Sequence, residues 1–291
     1  MESRVLRVAH NLDPDDAFLF FALAEERIDT GGVRYALELQ DIESLNQRAA
    51  LGELDVSAVS IHAYAYLADR YALLPHGASM GEGYGPRLVA RAPIARDAVR
   101  GKKIAVPGPL TSAYLALNLY EPDFKAVQMP FDAIEEAVVA GEVDAGLLIH
   151  ERQLTYAERG LQLVIDLGAW WSGETGLPLP LRGHVVRKEL GPELMRAVSR
   201  HLRASIAYAF AHRDEALEYA LRYARGLDRA RADEYVRLYV NEFTLDYGQR
   251  GRDAVGLFLQ RGVAAGMITR PVEVEFVNDE EEEEEAGAGP D

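Results

Sequence analysis

Short apolar runs alternate along this chain with segments whose apolar residues recur every three or four positions, which predicts strand followed by helix over the first half. The strand-like runs Val5 to Ala9, Val33 to Leu39 and Val56 to Ser60 are followed by helical stretches at Asp16 to Glu25, Ile42 to Leu51 and Tyr64 to Tyr71. Leu88 to Arg91 reads as a strand leaving that unit. A second series opens at Ile104 to Pro107 and continues through Ala126 to Met129 and Ala145 to Ile149, with helices over Ser112 to Tyr120 and Asp132 to Ala140. After Leu181 a strand returns at Val185-Val186. The chain then reads as helical from Pro192 to Gly266, where Ala207, Phe210 and Leu217 interleave with Arg203, Arg213 and Glu218 in an amphipathic pattern. The whole is an α/β pattern of two βα series, each implying a largely parallel sheet. Single crossings between the series predict two lobes, a large one from 1–93 and 178–278 and a small one from 94–177, with a ligand cleft between them.

Composition narrows this. The chain has 291 residues, 48% hydrophobic and 27% charged, enough for one large or two modest cores. No apolar run approaches the about 18 residues of a membrane-spanning helix, and Met1-Glu2-Ser3-Arg4 leads straight into a strand pattern rather than a signal-peptide core. These features, with the absence of cysteine, predict a cytoplasmic protein that does not bind membranes. Of the net charge of −16, half comes from the eight carboxylates of Asp279, Glu280 to Glu285 and Asp291, a segment predicted to be a disordered, solubilising tail over 279–291. An acidic body argues against nucleic acid as a partner.

The candidate chemistry centres on His150, which follows the apolar run Ala145-Gly146-Leu147-Leu148-Ile149 at the carboxyl end of a buried strand, where open α/β sheets place ligands. An imidazole with a pKa of about 6.5 can take a proton at neutral pH; the bland reading is a strand-end core histidine. Ser60 ends one strand, and Thr111-Ser112 open a helix after Pro107-Gly108, so unpaired first-turn amides and hydroxyls could hold an anion there. The structural alternative is that Thr111 or Ser112 is simply a helix cap. Asp13-Pro14-Asp15-Asp16 lacks the spacing of a calcium loop and reads better as helix capping than as a metal site. Gly81-Glu82-Gly83-Tyr84-Gly85 reads as a turn or hinge between lobes, and Trp170-Trp171 reads as packing rather than a stacking platform for an aromatic ligand. His10, His76, His201 and His212 have no supporting constellation.

Several separated blocks carry a family resemblance. Ile149-His150-Glu151 precedes Leu154-Thr155-Tyr156, Gly160-Leu161, Val164 to Trp171 and Thr175 to Leu181; upstream lie Ala105-Val106-Pro107-Gly108 with Thr111 to Tyr114, and Asp41 to Asn46 with Val59-Ser60 and Tyr64. In this order, over roughly residues 4 to 277, the chain resembles the 1,4-dihydroxy-6-naphthoate synthases of the futalosine route to menaquinone. The resemblance implies a type II periplasmic-binding-protein-like fold and a lyase that splits cyclic dehypoxanthine futalosine, a carboxylated small molecule, without cofactor or metal. It implies His150 as catalytic base and substrate contacts at Ala58, Val59, Ser60, Thr111, Ser112 and Ala113. A monomer or homodimer is expected. Two other readings stay open: a small-molecule binding protein of the same fold, and a related lyase, similar to chorismate dehydratase, acting on another carboxylated ring.

The chain also departs from that family. Where the family's first strand leads into Ser-Pro-Cys-Pro-Asn-Asp-Thr-Phe, this sequence has Asn11-Leu12-Asp13-Pro14-Asp15-Asp16-Ala17-Phe18. His62 replaces a small residue, and Arg182-Gly183-His184 stands where Gly-Ala is usual. Pro14, Asp16 and Phe18 keep the family's skeleton; Asp13 and Arg182, with the retained Asp16, join the candidate substrate-binding set. Arg182 either pairs with Asp13 or Asp15 across the cleft or marks an altered substrate.

Overall fold

The computed structural model describes residues 5–224 and 227–278; the expected acidic tail lies outside them. The described strands are β1 (Val5–Asn11), β2 (Arg34–Gln40), β3 (Val56–Ser60), β4 (Tyr71–Leu73), β5 (Ser79–Gly81), β6 (Arg87–Ala90), β7 (Lys103–Val106), β8 (Lys125–Gln128), β9 (Ala145–Leu148), β10 (Gln162–Asp166) and β11 (Leu179–Arg187). The described α-helices are α1 (Pro14–Ala24), α2 (Ile42–Leu51), α3 (Ile61–Tyr64), α4 (Ser112–Tyr120), α5 (Ile134–Ala140), α6 (Arg152–Thr155), α7 (Leu167–Thr175), α8 (Pro192–Ala211), α9 (Arg213–Leu221), α10 (Arg229–Tyr239), α11 (Glu242–Leu245) and α12 (Gly248–Ala264). None of the helices is long and apolar enough to cross a membrane, among the described residues.

The strands form two sheets. The first runs β2-β1-β3-β11-β4, with β5 also on β11; β1 is parallel to β2 and β3, and β11 is antiparallel to β3, β4 and β5. The second runs β10-β6-β9-β7-β8, in which β7 is parallel to β8 and β9 while β6 is antiparallel to β9 and β10. The sheet-to-sheet crossing falls earlier than 93, because Arg87–Ala90 pairs with β9 and β10 of the second sheet rather than with the first. It lies in Glu82 to Pro86, overlapping the Gly81 to Gly85 segment expected to be a turn or hinge. The expected helix over Tyr64 to Tyr71 is also corrected: only Ile61–Tyr64 is helical there, and Tyr71 begins β4.

Side chains of the second sheet alternate between two cores. Leu88, Ile104, Val106, Ala145 and Leu147 face a cluster shared with Val59, Leu73 and Val185 of the first sheet, whereas Val89, Ala105 and Leu148 face α5. A single core therefore runs between the sheets and welds them. Gly146 lets α5 approach that second face: a Cβ there would lie 2.6 Å from Ile134 and Val138. On the first sheet's outer face, α1, α8 and α9 enclose Leu6, Val8, Val56 and Val186. Helix α1 is buried almost all round, consistent with its run Phe18-Leu19-Phe20-Phe21, so its amino end is fixed against both sheet and helices. That end carries Asp13, Asp15 and Asp16.

Candidate active site

A cavity lies between the two sheets. It is lined by Asn11, Asp13, Ser60 and Ser79 of the first sheet's strands and their ends, by Thr111, Ser112 and Ala113 at the start of α4, by Ile149, His150 and Gln153 beyond β9, by Leu181 and Arg182 on β11, and by Tyr235 and Tyr239 on α10. About 460 Å³ of space lies between the atoms that line it.

His150 sits two residues beyond β9, at the strand's carboxyl end, as its position in the sequence predicts. Its backbone is left-handed, with φ of 61°, a conformation that costs a non-glycine residue about 1 kcal/mol or more, and the residue lines the cavity. Gln153 holds the turn, donating from Nε2 to the His150 carbonyl at 3.1 Å, and Tyr239 in turn donates to Gln153 Oε1 at 2.9 Å. The ring packs against Phe131 in a T-shaped arrangement, with centroids 4.5 Å apart. Nδ1 of His150 is hydrogen-bonded to Asp13 Oδ2, while Nε2 is buried without a hydrogen-bond partner.

Asp13 belongs to the first sheet's side of the cleft. It occupies the N-cap position of α1 but makes no side-chain bond to that helix, which corrects the expectation that it serves as a cap. Its Oδ2 accepts instead from Asn11 Nδ2 at 3.0 Å and Tyr235 Oη at 3.2 Å, besides His150. Asp15 and Asp16 surround Arg182, with Nη2 lying 2.6 Å from Asp15 Oδ2 and 2.7 Å from Asp16 Oδ1; Asp13 is more distant at 3.9 Å. Arg182 thus finds its partners within the protein. Three carboxylates share one guanidinium, and burial pushes Asp15 up to about 6 despite the opposing pull of Arg182. The same carboxylates hold the Arg182 guanidinium firmly charged against its own desolvation. Behind them, burial lowers His184 to about 4, with its Nε2 3.7 Å from Asp16 Oδ1.

The far end of the cavity is the start of α4. Thr111 is its N-cap, accepting from the Tyr114 amide at 3.2 Å and donating to the Gly108 carbonyl at 2.8 Å. The Ser112 hydroxyl, expected to face a ligand, donates to the Leu181 carbonyl at 2.6 Å and accepts from the His62 amide at 3.1 Å. Its work is to tie α4 to β11 and α3. First-turn amides of Ser112 and Ala113 have no acceptor inside the helix and lie at the cavity wall. Ser60 faces Arg182 across the β3–β11 register, and its Oγ accepts from Asn46 Nδ2 at 3.1 Å, leaving its own proton to donate. Ala58 and Val59, expected as substrate contacts, are instead packed in cores on β3 and do not line the cavity; Asp16 stands behind Arg182 and does not line it either. His62 is held neutral by burial, lowered to about 4, with Nδ1 3.3 Å from the Thr111 carbonyl. Among the described residues no cluster suited to a metal ion occurs.

The residues that sequence reasoning missed are Asn11, Asn46, Ser79, Gln153, Tyr235 and Tyr239. Only the last pair had a signal: tyrosines four apart share one helix face, and on α10 that face looks into the cleft.

The architecture is that of the bilobed solute-binding proteins. The periplasmic aliphatic sulphonate binding protein of Escherichia coli superposes with a TM-score of 0.65 at 13% identity, covering 93% of this chain and 90% of that one, a likeness of fold alone. The chain itself belongs to the menaquinone biosynthesis family, whose model matches residues 6–264. It is 42% identical over 262 residues to the 1,4-dihydroxy-6-naphtoate synthase of Thermus thermophilus, covering 90% of this chain and 95% of the relative. It is 38% identical over 274 residues to the synthase of the same name from Streptomyces coelicolor, covering 92% and 96%. A protein from Archaeoglobus fulgidus solved by X-ray crystallography is 46% identical with a TM-score of 0.88, covering 92% of this chain and all of that one. These likenesses place the chain among the enzymes of menaquinone biosynthesis.

Proposed function

We propose that this protein forms 1,4-dihydroxy-6-naphthoate by carbon–carbon cleavage of cyclic dehypoxanthine futalosine, with His150 as general base. The observation that carries the reading is the unpartnered Nε2 of His150, buried on a ring that lines the cavity, in a chain 42% identical to a named synthase. Removing a substrate proton starts the cleavage, and the ring gains aromatic stabilisation as the smaller fragment leaves. The protein supplies position and charge complementarity, tasks that need no group beyond its own side chains in this reading. The anionic end of the substrate would meet the Ser112 and Ala113 amides and the Ser60 hydroxyl. His150 would work at the other end.

The test is incubation of the purified protein with cyclic dehypoxanthine futalosine, following product by mass spectrometry. Product with wild type, and a fall of about 10²- to 10⁴-fold in turnover for a folded His150→Asn variant, is the expected result. Binding without any product overturns the lyase reading in favour of a solute-binding role. Product from the wild type with undiminished turnover in His150→Asn overturns His150 as base.

A further inference from the structure

We propose that Asp13 is a positioning residue for the base: approach of the two sheets places its carboxylate on Nδ1 of His150, fixing the ring proton there and leaving Nε2 unprotonated on a ring that lines the cavity. The proposal rests on the reading of His150 as the base and extends it. An ionised carboxylate can only accept, so the imidazole nitrogen that faces it has to carry the proton; the neutral ring is then the Nδ1–H tautomer, with its lone pair on Nε2. Nε2 is the atom without a partner.

Three further features show that the carboxylate is held for this contact. Asp13 is 1% exposed, and Asn11 Nδ2 and Tyr235 Oη both donate to the oxygen that meets His150, so the group cannot swing away without breaking other bonds. It stands at a helix N-cap, where an aspartate ordinarily bonds its own helix, yet its side chain turns to the other sheet. On the opposite side, the left-handed turn of His150, braced by Gln153, presents Nδ1 to Asp13. The two partners come from different sheets: Asp13 follows β1, and His150 follows β9. The contact therefore bridges the two sheets that the shared core holds together.

The experiment combines kinetics with ¹⁵N NMR of histidine-labelled protein, the His150 signals being assigned by their loss in His150→Asn. In wild type at neutral pH we expect one tautomer, protonated at Nδ1. In Asp13→Asn the amide can turn either its oxygen or its NH₂ toward the ring, so the signals should shift toward a mixture; kcat should fall by about 10- to 100-fold with KM little changed. A merely structural role would lower stability without moving the tautomer signature. A wild-type proton on Nε2, or an unchanged signature and kcat in Asp13→Asn, overturns the proposal. If His150→Asn keeps full turnover, the reading of His150 as base fails instead, and the wild-type tautomer still decides whether Asp13 positions the ring. Should Asp13→Asn not fold, Asp13→Cys provides the second variant, with the same outcomes deciding.

Discussion

Arg182 shows how much a single buried charge depends on its neighbours. A guanidinium 6% exposed beside three carboxylates is tolerable only because they pair with it, and they in turn depend on it. Arg182→Gly leaves Asp15 and Asp16 facing each other without a cation, so we expect a loss of about 3 to 5 kcal/mol in denaturant unfolding. Adding Asp15→Asn should recover part of it, whereas adding Asp13→Cys should not, because Asp13 is engaged with His150. Wild-type stability in Arg182→Gly would refute the ion cluster. The sequence made an Arg182–aspartate pair legible through its departures at Asp13, Asp15 and Arg182. It could not divide the aspartates between Arg182 and His150, since that division depends on how α1 leaves β1, a matter of tertiary direction rather than residue type.

At the level of elements, the start of α4 carries two neighbouring hydroxyls with different tasks. Thr111 caps its own helix, so Thr111→Ala should cost about 1 kcal/mol. Ser112 instead joins α4 to β11 and α3, and Ser112→Ala strips a donor from the Leu181 carbonyl and an acceptor from the His62 amide. We expect it to cost about 1 to 3 kcal/mol, measured by chemical denaturation, and to do so without ligand present. A Ser112→Ala variant as stable as wild type would return the hydroxyl to the ligand. The helix itself was plain in the sequence, as were β3, α2 and the run ending in His150, because periodicity there matches one element of ordinary length. Strands β4 and β5 were not. Each is three residues long and pairs with the distant β11, and the apolar residues around Tyr64 and Tyr71 suit either period. Likewise α10 fell inside the long stretch read as amphipathic helix, but that its tyrosines face the cleft follows from its packing on α1.

For the whole molecule, buried histidines make stability sensitive to acid. Burial lowers His62 and His184 to about 4 from an ordinary 6.5, and lowers His10 and His201 as well. A histidine whose folded pKa lies below its unfolded one contributes stability that is present above the unfolded value and lost as pH falls through the folded value, here between 6.5 and about 4 for His62 and His184. Asp15 and Glu43 act in the opposite sense, since burial raises both: the contribution of Asp15 is full below 3.8 and lost as pH rises to about 6. Four histidines against two carboxyls should make the histidine term prevail. The melting temperature is therefore expected to fall from pH 7 to pH 4.5, and to fall less in His62→Gln, which removes the titrating group while its amide can still donate to the Thr111 carbonyl. His62 joins α3 to the start of α4, so protonating it places a charge at that junction. Calorimetry of the two proteins across that range is the check. An identical fall in both would show that His62 is not part of the acid response, and a melting temperature that rises toward pH 4.5 would mean that the buried carboxyls outweigh the histidines.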